Sequence, residues 1–174
     1  MAKKRKNSRQ KGAAFERQIA KSLSEWWGIK FHRTPLSGGL SWGADNRVIG
    51  DIVAPMEGGD DFPFTVECKK HEGWDLDSLL KDTGPIKDWW KQAITDNKRL
   101  NDESKHPLLL FSRNYSPVFY MMYQKTWEKL NLENTRYFIT KLYGVEREDD
   151  VHPVVVGLLD DLVKISKEEV IKSL

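Results

Sequence analysis

The stretch F-P-F-T-V-E-C-K, residues 62 to 69, decides how this chain is read. Phe62, Phe64, Val66 and Cys68 are apolar at every second position, while Thr65, Glu67 and Lys69 are polar. That period belongs to a β-strand with unlike faces, and Pro63 suits a strand start. Glu67 and Lys69 then project from one face, a pleat apart, and Cys68 turns into the core.

Upstream, V-I-G-D-I-V-A at residues 48–54 is apolar on both faces except for Asp51, as expected of a buried strand carrying a single acid. A buried carboxylate without a partner is costly, so Asp51 is expected to pair with a cation. Two carboxylates and an ammonium converging there make a Mg²⁺ site with a lysine beside it, suited to phosphodiester hydrolysis. Each feature alone has an ordinary alternative. Glu-x-Lys is a common cross-face salt bridge in a chain with 31% charged residues, and an acid at a strand end is a common turn residue. Their occurrence together on neighbouring strands is what points to a site.

A third acid lies further upstream. Residues 11–27 read as an amphipathic helix, with Phe15, Ile19, Leu23 and Trp26 at helical spacing. Glu16 borders that stripe, on the edge shared with Ala20, Leu23 and Trp27. It either favours the helix dipole or leans over the sheet toward Asp51 and Glu67.

Glu16 on the first helix, Gly50-Asp51 opening a buried strand, and Glu67-Cys68-Lys69 on the next resemble the PD-(D/E)xK nuclease superfamily. Gly50 stands where the proline of that name would be. R-T-P-L-S-G-G at residues 33–39 is similar to the mobile loop of archaeal and phage Holliday-junction resolvases. The similarity covers roughly residues 11 to 123. It implies an α/β, restriction-endonuclease-like fold: a mixed central sheet flanked by helices. It also implies roles. Asp51 and Glu67 would hold Mg²⁺ (or Mn²⁺), with the Cys68 carbonyl as an added ligand and Glu16 completing the metal or water shell. Lys69 would act on the attacking water and the transition state. Ser37 would approach the scissile phosphate, and Arg33 would clamp a neighbouring one.

Composition narrows the class. The chain of 174 residues suits one core, and its single cysteine excludes an internal disulfide framework. No apolar stretch reaches membrane-spanning length, and the basic N-terminus lacks a following apolar segment. The expectation is a cytoplasmic protein, prokaryotic or phage-encoded, with no organic cofactor and no membrane partner. The net charge of +2 is unevenly placed. Residues 1–11 carry six basic groups and no acid, which leaves the remainder at −4. Lys3, Lys4, Arg5, Lys6 and Arg9 thus form a flexible arm suited to tracking a DNA backbone, or else a solubility or localisation tail.

The expected order is helix 11–27, strand 29–34, loop 35–47, strands 48–54 and 62–69, helix 85–100, then strands 106–112 and 117–123. Ile86, Trp89, Trp90, Ala93, Ile94 and Leu100 form a helical stripe with Pro85 at the first turn, and the tryptophans read as core. His71 to Thr83 reads as irregular or briefly helical, with His71 solvated. Residues 124–174 read as an extension of a single nuclease domain spanning 12–174. It contains a helix over Thr126–Leu132, strands near 136–143 and 153–159, and a capped helix after Ser166, with Glu169 completing a capping box.

The function expected is a metal-dependent, structure-selective DNA endonuclease, a Holliday-junction resolvase acting on branched duplex DNA as a homodimer. The apolar runs at 119–123, 137–139 and 154–159 are the candidate subunit surfaces. Other nucleases of the superfamily (exonuclease, nicking or flap-cutting, restriction-type) and a non-catalytic DNA-binding protein on the same scaffold remain as alternatives. Gln92 is followed by Asp96, where the exonuclease branch carries tyrosine four residues after its glutamine.

Overall fold

A computed structural model describes residues 8–34 and 49–174. Helix α1 (Ser8–Trp27) places Phe15, Ile19, Ala20, Leu23 and Trp27 against the sheet and stops at Gly28. Gly28 takes φ 75° and donates its N–H to Ser24 O, a left-handed C-terminal cap open to glycine at little cost. The helix begins at Ser8, not Lys11, so Arg9 lies in its first turn.

Strands β1 (His32–Arg33) and β2 (Ile52–Val53) follow. Next come β3 (Phe64–Lys70), the short helix α2 (Leu76–Leu80), α3 (Ile86–Arg99), β4 (His106–Ser112) and β5 (Phe119–Tyr123). The chain ends with α4 (Gln124–Lys129), β6 (Tyr137–Tyr143), β7 (Val151–Leu158), α5 (Leu159–Leu162) and α6 (Lys167–Ser173). Asp75 caps α2 by accepting from Ser78 N at 2.6 Å, and the capping box read at Ser166 and Glu169 opens α6.

The strands form one mixed sheet in the order β1-β2-β3-β4-β5-β7-β6. The β3–β4 pair is parallel, joined across α2 and α3, and the other pairs are antiparallel. Cys68, Val66 and Phe64 turn to the face covered by α1, as do Leu108 and Leu110. Leu109, Phe111 and Met121 turn to the face covered by α3, where Trp90 and Ile94 meet them. A helix on each face explains why β4 is apolar without alternation. Trp90 is fully buried and Trp89 partly so, as their place in the apolar stripe predicts.

Three expectations are corrected. The two short strands expected at 29–34 and 48–54 pair over two residues each. Asp51 precedes β2 at a bend instead of lying within a strand. Two of the three candidate subunit surfaces are interior: Tyr120, Met121, Met122, Val154 and Val155 have no exposure, because β5 and β7 lie inside the sheet. The chain after residue 123 shares that core, since Val155, Leu159, Leu162 and Val170 belong to the same cluster as Phe15.

Candidate active site

Residues from three elements meet where the second half of β3 passes the bend before β2. Gly50 makes the bend, with φ 92°. Asp51 N then donates to Val66 O at 2.8 Å, and Thr34 closes the other side through its N–H to Asp51 O and its hydroxyl to Gly50 O. The turn swings the Asp51 side chain across the β3 backbone, where Oδ2 accepts from Cys68 N at 2.8 Å. Among the described residues the partner of Asp51 is therefore a backbone N–H, and the cation expected from its burial is not found. It is the amide of Cys68, not its carbonyl, that meets Asp51. The Cys68 thiol is buried on the α1 side, and its pKa is raised by that burial.

Glu67 and Lys69 share the opposite face of β3, as their spacing requires. Lys69 Nζ donates to Glu67 Oε1 at 2.5 Å and to Gln92 Oε1 of α3 at 2.9 Å. One pleat earlier, Thr65 Oγ1 accepts from Asn97 Nδ2 of the same helix at 2.9 Å. Two side-chain contacts thus fix α3 against β3 next to the carboxylates. Gln92 is a site residue that sequence reasoning weighed only for the tyrosine missing after it; its helical face toward Lys69 was the available signal.

Glu16 is buried on α1, and its Oε2 accepts from Arg33 Nε. The terminal amino groups of Arg33 make no hydrogen bond among the described residues. Burial raises Asp51 to about 6, with further upward pressure from Glu16, while the Cys68 N–H and Lys69 pull down. Burial and then the Asp51 charge raise Glu67 to about 7, against the pull of Lys69. Asp96, one helical turn beyond Gln92, adds its negative charge to both carboxylates. It is a fourth acid that no strand pattern marks.

The donor set suits a hard divalent cation. Asp51 Oδ1 and Glu67 Oε2 accept no hydrogen bond among the described residues, so each acid keeps one oxygen free on a carboxylate held in place by its other oxygen. Ser37 and the basic residues Lys3, Lys4, Arg5 and Lys6 lie outside the described residues. Arg9 is on α1 and Arg33 is at the site.

A second group has metal-ligand chemistry: Glu146, Asp150 and His152, whose ligand atoms lie within 4.8 Å of one another. Its bonds are already structural. Asp150 accepts from the backbone N–H of Val145, Glu146 and Arg147, and Lys98 Nζ binds both oxygens of Glu146.

Residues 7–172 match the family described as "Phage putative PDDEXK endonuclease". The chain belongs to this phage PD-(D/E)xK endonuclease family. The restriction-endonuclease-like α/β sheet of that superfamily carries Glu67 and Lys69 on β3, with Asp51 at the bend before β2 and Glu16 on α1. Among curated relatives, Protein D14 of Escherichia phage T5 is 28% identical over 110 residues, covering 62% of this chain and 66% of that protein. The matched part thus falls just short of two thirds of the relative's length. No solved structure matches the fold significantly. No helix among the described residues is long and apolar enough to cross a membrane.

Proposed function

We propose that this family member is a divalent-metal-dependent endonuclease that cuts branched duplex DNA, acting as a homodimeric resolvase of four-way junctions. The observation that carries the reading is the convergence of Asp51, Glu67 and Lys69 at one bend, with both carboxylates buried and still keeping a free oxygen. A fold that desolvates two acids side by side gains nothing structurally from the second negative charge. A cation between them removes the repulsion.

Asp51 and Glu67 would hold Mg²⁺ or Mn²⁺. The ion, when bound, supplies a Lewis acid for the phosphate oxygens and lowers the pKa of bound water. The chain's own residues do the rest. Lys69 Nζ is aimed by Glu67 Oε1 and Gln92 Oε1, which leaves a proton to orient the attacking water or to bind a phosphate oxygen. In the hydrolysis, the water oxygen bonds to phosphorus, the bond from phosphorus to the leaving sugar oxygen breaks, and that oxygen takes up a proton. Arg33, aligned by Glu16, presents its free amino groups to a neighbouring phosphate. Sheet edge β6 offers a two-fold subunit contact, since Tyr137, Ile139 and Tyr143 are 39%, 45% and 52% exposed.

One observation favours a second reading. Gln92 against Lys69 is the contact that the exonuclease branch would need, although Asp96 replaces the tyrosine. Cleavage of plasmid, flap, linear duplex and four-way-junction DNA in Mg²⁺, Mn²⁺ or EDTA separates the readings. Paired symmetric nicks in the junction support resolution, and end-dependent degradation of linear duplex favours the exonuclease. Asp51→Asn should cut at least about a thousandfold more slowly, several kcal/mol of lost charge stabilisation, while still binding DNA. Unimpaired cutting by this variant would remove the site assignment.

A further inference from the structure

A cleft of about 820 Å³ opens between α1 and the outer edge of β1. Its charged lining is Arg17, Lys21 and Glu25 from the helix and Lys30, His32 and Arg33 from the strand side. The floor is fixed. Ser24 Oγ donates to Ala20 O at 2.6 Å and accepts from Phe31 N at 2.9 Å, tying the helix to the strand along the cleft. Lys21 lies 3.7 Å from Glu25, with both side chains largely in solvent, a pairing weakened by water. Arg17 and Lys30 have no carboxylate partner among the described residues. Four permanent cations thus stand against two acids, Glu25 in the lining and Glu16 paired with Arg33, on a body whose residues 12–174 carry a net negative charge.

The cleft shares one residue, Arg33, with the candidate active site. At its inner end Arg33 meets Glu16, and the next residue, Thr34, donates its N–H to Asp51 O. The far end is Gly28 and Lys30. We propose that this cleft is a backbone-binding track for duplex DNA, in which Arg17, Lys21 and Lys30 neutralise successive phosphates of one strand and lead it to the catalytic carboxylates. The proposal rests on the nuclease reading and assigns it a DNA path separate from the N-terminal arm expected from the sequence. The strand side from Lys30 to Arg33 spans three residues, roughly 10 Å. Phosphates of one strand rise ~3.4 Å along the helix axis per step but stand roughly 7 Å apart through space, so about two of them fit along the cleft. A polyanion also needs these cations to approach a site holding Glu16, Asp51, Glu67 and Asp96. Arg17, Lys21 and Lys30 are assigned to phosphates, contacts that carry no sequence information, so the track is expected to be indifferent to sequence.

The test is fluorescence anisotropy of the full chain with unbranched duplexes of about 30 base pairs and two unrelated sequences. Binding is measured in EDTA, which suppresses cleavage, across ~50–200 mM salt. Arg17→Gln/Lys21→Gln/Lys30→Gln should flatten the log–log salt dependence by about 2, at ~0.9 per lost contact, equally for both sequences. Lys125→Gln/Lys129→Gln/Lys141→Gln removes the same charge from α4 and β6, away from the cleft, and should leave the slope near that of the wild type. Lys30→Gln alone should flatten it by about 0.9, which keeps the test available if the triple variant unfolds. An equal change in both triple variants, or an unchanged slope in the cleft variant, overturns the track while leaving the nuclease reading intact. Absence of binding to the unbranched duplexes by the wild-type protein overturns the track, and absence of binding to a four-way junction as well overturns both.

Discussion

Gly50 shows how much one backbone position decides. Its φ of 92° lies where L side chains are strained, and a Cβ there would stand 2.7 Å from Val66 O on the neighbouring strand. Proline, fixed near −65°, has no access to this conformation, which accounts for glycine at the place of the proline in the family's name. Gly50→Ala should destabilise the fold by about 1–3 kcal/mol and displace the Asp51 carboxylate, lowering cleavage as well. Thermal unfolding and a plasmid assay check this; an unshifted melting temperature would mean that the bend relaxes freely. Asp51 at about 6 and Glu67 at about 7 give a second prediction. Both folded-state values lie above the ordinary carboxylate range, so between about pH 4 and 7 the native state binds more protons than the unfolded state. In EDTA these two acids therefore contribute stability that is present at low pH and lost as pH rises through that window. Glu67→Gln should show a shallower decline than the wild type, measured as melting temperature against pH. At subsaturating metal, cleavage should also rise over the same interval, because protons compete with the ion for Glu67; a metal affinity unchanged from pH 5.5 to 8 would contradict the shifted values.

At the scale of elements, α3 acts as a lever on the site. It buries Ile86, Trp90, Ala93 and Ile94 and sets Gln92, Asp96 and Asn97 over β3 with the same helical turns. The β6–β7 connection is a different case. The Asp150 carboxyl is held well below the usual range by three backbone N–H groups and His152, and His152 is in turn 3.1 Å from the Tyr123 hydroxyl. This arrangement closes a turn between two strands. Asp150→Ala should lower the melting temperature through orphaned N–H groups and leave metal-dependent cleavage unchanged. Calorimetric Mn²⁺ titration of both proteins should give the same stoichiometry; a lost equivalent in the variant would make the trio a metal site.

For the whole molecule, the free edge of β6 stands four strands from β3. If two copies pair along that edge, their active sites lie nine strand spacings apart, roughly 43 Å at ~4.8 Å each. Sedimentation at micromolar concentration should give about twice 20.2 kDa. Ile139→Glu should return a folded monomer with slower junction resolution but intact nicking. A wild-type monomer, free and on DNA, would remove the dimer from the proposal.

The sequence by itself determined the local elements and the identity of the key residues. The period of residues 62–69 placed Glu67 and Lys69 on one face, and the helical stripes of α1 and α3 and the capping box of α6 follow from side-chain spacing alone. These are short-range properties, fixed by pleat and turn geometry. Tertiary structure decided the partners. Asp51 reaches a backbone N–H because Gly50 bends the chain over β3, Gln92 and Asp96 join the site because α3 lies across it, and 154–159 became interior because β6 pairs outside β7. Each depends on contacts between residues far apart in the chain, and no residue pattern encodes which strand will lie beside which.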